Sequence, residues 1–122
     1  MTTLIYDGTF EGMLTAVFEV YDRRLSHVKL EKGEWRNSAL FEDVLRVTTD
    51  DYRAMRVLKG LQQRLSAIGL QRLYTAHLAE IDGEDNMILG YIRYVFDSAQ
   101  NIEDDYGNKY VMRVSELSLI HI

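Results

Sequence analysis

The stretch from Thr3 to Tyr21 constrains the fold most, because it joins an apolar run, a turn and a strongly periodic segment without interruption. Leu4, Ile5 and Tyr6 are too few for a helix, and Asp7-Gly8 is a strong turn signal, so a short strand is expected over residues 3–6. Asp7 or Thr9 can then offer a side-chain oxygen to the free N–H groups of a first helical turn, which Glu11 complements electrostatically. From Phe10 onward, Phe10, Met13, Leu14, Val17, Phe18, Tyr21 and Leu25 recur at helical steps, while Glu11, Glu19, Asp22 and Arg23 mostly fall elsewhere. This amphipathic helix is expected to be a main source of stability, since each buried large apolar side chain contributes roughly 1.5–3 kcal/mol.

Residues 26–43 sustain neither a 3.6-residue nor a 2-residue period and read as an irregular connection, with Trp35 and Phe41 either anchoring it on the core or offering a base-stacking surface. Val44, Leu45, Val47 and Thr48 form a second β-branched strand over residues 44–48, with its direction open. Thr49-Asp50-Asp51 caps a helix from about Tyr52 to Leu65. At about 100° per residue, Ala54, Val57, Leu58, Leu61 and Leu65 share one arc of that helix, and Arg53, Arg56, Lys59 and Arg64 share the opposite one. No acidic residue occurs between Arg53 and Arg72, although the 122-residue chain carries a net charge of -5. Overall acidity opposes nonspecific attachment to nucleic acid, so this basic arc is the surface suited to phosphate, or else a solvated face paired with carboxylates.

Ser66 caps a third helix over about 67–80, carrying Leu70, Leu73, Tyr74, His77 and Leu78 on its inner face. The segment 81–86 closes it and opens a fourth helix over about 86–98, so that the two make a helical hairpin. Lys109 to Leu117 reads as a fifth helix. The expectation is a predominantly α-helical α+β fold, with about five helices and a small sheet of two short strands at 3–6 and 44–48. A single domain over 1–116 is expected, the N-terminal fragment of a longer protein. Residues 117–122 read as a non-native tail, since one coding frame for Leu-Ser-Leu-Ile-His-Ile resembles a transposon end used to make sequencing libraries.

Zero cysteines exclude disulfides and Cys-ligated metal centres, and no signal peptide or apolar run of about 18 residues is present, so a cytoplasmic location without membrane contact is expected. His27, His77 and His121 are scattered, with His77 expected as a core imidazole. The cluster Asp82, Glu84 and Asp85 fails as a calcium loop because Met87 stands where glycine is needed. No cofactor is expected in this chain. Asp7 and Glu11 are the carboxylates with catalytic potential, at a helix entrance that Gly8 and Gly12 leave open to close approach; a helix cap is the competing role.

At Tyr6-Asp7-Gly8-Thr9-Phe10-Glu11-Gly12, followed by Leu14-Thr15-Ala16-Val17-Phe18, the chain resembles the start of an uncharacterised bacterial family called "probable DNA metabolism proteins". Leu40-Phe41, Val47-Thr48-Thr49-Asp50, Ala54, Val57, Gly60-Leu61, Leu65-Ser66, Leu78 and Tyr91-Ile92 follow in that family's order, up to about Val114. The resemblance implies DNA repair or modification beside a radical-SAM protein, and longer members carry a uracil-DNA glycosylase-like domain that this chain lacks. Three functions follow as expectations. The first is an accessory domain that positions DNA or the radical-SAM partner through the basic helix; the others are an enzyme domain bordered by Asp7 and Glu11, and a protein-interaction scaffold without nucleic-acid contact.

Overall fold

The computed structural model describes residues 1–33, 43–81 and 83–120. Trp35, Phe41, Asp82 and His121, all weighed from the sequence, lie outside them. The described residues form two compact units, Met1–Leu58 and Lys59–Ile122.

The first unit contains β1 (Thr2–Tyr6), α1 (Phe10–Asp22), β2 (Val28–Lys32), β3 (Asp43–Arg46) and the start of α2 (Asp51–Arg64). Its strands form a parallel sheet in the order β2-β1-β3. Parallel neighbours cannot be joined by a tight hairpin, and α1 supplies the crossover from β1 to β2. Leu4 pairs with Leu30 on one side and with Leu45 on the other, so three leucines lie in a row across the sheet. Thr3, Leu4, Ile5 and Tyr6 are all buried, as a central parallel strand covered on both faces requires. From α1, Met13, Leu14, Ala16, Val17 and Val20 complete this core.

The sheet therefore has three strands where the sequence suggested two. The additional strand, β2, falls within the stretch read as irregular. Its Val-Lys-Leu-Glu-Lys pattern contains only two apolar residues, and only Leu30 is buried. Lys29 and Glu31 pair at 2.9 Å on its surface, and such charges are typical of an edge strand. The expected 44–48 strand is also shorter: its ladder ends at Arg46, with one further bond from the Val47 N–H to the Ile5 carbonyl at 2.8 Å.

The second unit contains the rest of α2, then α3 (Ala67–Leu78), α4 (Asp85–Asp97) and α5 (Lys109–Ile120). Here α5 packs against both α3 and α4, more extensively than those two pack on each other, so the expected hairpin is part of a three-helix arrangement. Leu73, Ala76, Ile88, Ile92, Val95, Val111, Val114 and Leu117 form its core. The Ser66 hydroxyl accepts the Gly69 N–H at 3.0 Å and so caps α3, as its position in the sequence suggested. Arg113 on α5 reaches Glu84 before α4 at 2.6 Å. His77 is buried, as expected. Tyr21 and Tyr74, expected on inner faces, are exposed: a phenol can leave its polar tip in water while its ring lies along the helix. Among the described residues no helix is long and apolar enough to cross a membrane.

Candidate functional site

The entrance to α1 lies at the carboxyl end of β1. The chain leaves β1 toward β2 on one side, and β3 occupies the other, so this end is a topological switch point, where open parallel sheets commonly bind ligands. Gly8 takes φ +87°, a conformation that glycine adopts without steric cost, and this turns the chain sharply from strand to helix. The Thr9 hydroxyl accepts the Gly12 N–H at 2.9 Å and is the N-cap of α1. Asp7 acts one step behind it. One Asp7 carboxylate oxygen, Oδ1, accepts the Thr9 N–H at 2.9 Å and the Thr9 hydroxyl at 2.6 Å, and Oδ2 accepts the Thr49 hydroxyl at 2.7 Å.

Thr49 stands in the connection from β3 to α2, so its bond to Asp7 fastens that loop to the loop after β1. A second fastening lies beside it: the buried Thr15 hydroxyl accepts the Asp50 N–H at 3.2 Å and donates to the Glu11 carbonyl at 2.8 Å. Asp50 in turn caps α2 by accepting the Arg53 N–H at 3.0 Å. Glu11 is exposed in the first turn of α1, favourably placed for the positive helix end. The entrance is thus a hydrogen-bonded clasp between two loops.

The charge state of Asp7 follows from this geometry. Burial raises its pKa, but the hydrogen bonds from Thr9 and Thr49 outweigh burial and hold the carboxyl below its ordinary value. Asp7 therefore stays ionised near neutral pH and is a weak proton acceptor. Because its folded pKa is depressed, its contribution to stability is present above the unfolded value of about 3.9 and is lost as pH falls through the folded one. Asp7→Asn should be less stable than the parent at about pH 6, and the difference should narrow toward about pH 3 in urea titrations. A difference independent of pH would exclude the clasp as its source.

The four basic residues of α2 do not act alike. Arg53 is ion-paired with Glu19, a carboxylate buried on α1 that also takes Arg23 at 2.7 Å. Arg53 and Arg56 both lie over the Phe18 ring, 5.3 and 5.8 Å from its centroid, within the range of cation–π attraction. Arg64 instead stacks on Phe96 at 5.0 Å and donates to the Gly60 carbonyl at 3.1 Å. Arg56 and Lys59 are exposed and form no ion pair among the described residues. The structure thus brings Arg53 and Arg56 together over one ring and commits Arg53 to a carboxylate. Sequence reasoning missed Glu19, placing it on the solvent side; the only local sign was Arg23 four residues on, an ordinary helical pair.

An open cavity of about 700 Å³ lies in the second unit, between the α2–α3 and α4–α5 connections, where Arg64 meets Ser66, Ser98 and Asn101. Apart from Arg64, its lining is uncharged, with Leu65 and Ala99 among Ser, Gln and Asn side chains, and has no spacing that would mark it in sequence. Among the described residues no group of three His, Cys, Asp or Glu side chains could hold a metal ion. In comparisons with known proteins, no family model, no curated protein and no solved structure matches this chain.

Proposed function

We propose that this chain is a noncatalytic DNA-metabolism domain of the cytoplasm that helps position DNA for a radical-SAM partner, with the outer face of α2 as its phosphate contact. The observation that carries the nucleic-acid part is the state of Arg56 and Lys59. In a chain of net charge -5, two neighbouring cations on one helix are left exposed without an ion pair among the described residues. Positive groups freed of carboxylates are what neutralise phosphates and release their counterions. Arg53 holds the edge of this surface through Glu19 and Phe18, with Arg23 adding a second cation beside the same carboxylate. The radical-SAM partner and the link to repair or modification rest on the family resemblance carried by Tyr6 to Gly12.

The test is charge reversal where it leaves the core and the Glu19 pairing untouched. Arg56→Glu with Lys59→Glu should lower affinity for DNA by about tenfold or more at moderate salt, measured by fluorescence anisotropy, because two attractions to phosphate become repulsions. Unchanged affinity would remove α2 from the interface. Arg53→Glu is the poorer probe, since it would set a second carboxylate against buried Glu19 and confound binding with stability.

A further inference from the structure

We infer that the outer face of α2 takes single-stranded rather than duplex nucleic acid, with Tyr52 as the platform on which a base stacks; this rests on the phosphate-contact reading of the same helix. Tyr52 is 70% exposed, more than Tyr21, Tyr74 or Tyr106, each at 43–44%. It stands in the first turn of α2, where its ring is spent on neither core.

Helical spacing sets its neighbours. Arg56 at four residues and Lys59 at seven lie on the same side of α2 as Tyr52, and Met55, 49% exposed, flanks them. The helix thus presents an aromatic ring and a thioether beside two cations. Of the nearest carboxylates, Asp50 is engaged by the Arg53 N–H, and Asp51 lies about 100° round the helix from Tyr52.

Each part suits one feature of a single strand. Exposed bases stack on aromatic rings with little regard for sequence, while Arg and Lys track the backbone. In a duplex the base faces are already stacked inside the helix, so an exposed phenol gains little there, and only the cations contribute. Charge complementarity therefore allows both forms, and Tyr52 is what separates them.

Anisotropy with the full chain and a labelled single strand of about 16 nucleotides, beside the same length as duplex, tests this. The parent protein should bind the single strand more tightly. Tyr52→Ala should lower single-strand affinity about tenfold and leave duplex affinity unchanged, whereas Tyr52→Phe should retain the parent affinity because the ring persists. Equal single-strand affinity in Tyr52→Ala, weakness of Tyr52→Phe equal to that of Tyr52→Ala, or duplex bound at least as tightly as single strand would overturn the inference. Self-association without nucleic acid that Tyr52→Ala abolishes would assign the face to a second copy and overturn it too. Weaker binding in Arg56→Glu, Lys59→Glu with no effect of Tyr52→Ala would overturn the stacking role and leave the phosphate reading standing alone. No binding of either form by the parent would remove both.

Discussion

Leu4→Ala should cost about 3–4 kcal/mol of stability, within the span seen for large-to-small changes at buried positions. Leu4 is fully buried in the central strand and in register with Leu30 and Leu45, so its truncation opens a gap in the middle of the leucine row. Strands on both sides and covering residues on both faces leave little room for collapse into that gap, which keeps the cost away from the lower end of the range. Leu45→Ala, at a half-buried position on the edge strand β3, should cost about half as much. Urea midpoints at constant slope measure both. Equal costs at the two positions would contradict the placement of β1 at the centre.

Gly12→Ala should cost about 2 kcal/mol, against the usual gain of about 1 kcal/mol when alanine replaces glycine in a helix. A Cβ at position 12 would stand 2.2 Å from Asp7 Oδ1 and 3.0 Å from Thr9 Oγ1. Asp7 is short and held by three hydrogen bonds, so it can move aside only by giving up Thr9 and Thr49, and the helix cap moves with it. The same change in an Asp7→Ala background meets much less obstruction and should cost little or become favourable. An equal cost in both backgrounds would show that the clash with Asp7 is not the cause.

These two positions also show what the sequence could and could not reveal. The periodic stripe through Met13, Leu14 and Val17 and the cap at Ser66 are local features that local chemistry sufficed to read, and the cap signals at Asp7 or Thr9 and at Thr49-Asp50-Asp51 were resolved by the structure to Thr9 and Asp50. The strand β2 was hidden because an edge strand needs only one buried side chain, and the alternation of Val28 and Leu30 with Lys29 and Glu31 is too brief to stand out as a period. The basic arc of α2 was legible as a face, yet its division was not. Which cation meets a carboxylate depends on Phe18 and Glu19 of α1, more than thirty residues away in sequence. Likewise the turn at Asp7 was legible as a cap signal, whereas its bond to Thr49 required β1 and β3 to become neighbours. Helical spacing already sets Tyr52 on the side of Arg56 and Lys59, away from the core arc, whereas the extent of its exposure required the packed structure.

The most direct test of nucleic-acid contact through α2 is the salt dependence of single-strand affinity for the parent and for Arg56→Ala with Lys59→Ala. A plot of log affinity against log salt should fall for the parent, and the double variant should fall less steeply by about 1.4, or roughly 0.7 for each phosphate no longer neutralised. Identical slopes, or an affinity that salt does not change, would contradict a role for Arg56 and Lys59 in holding phosphates.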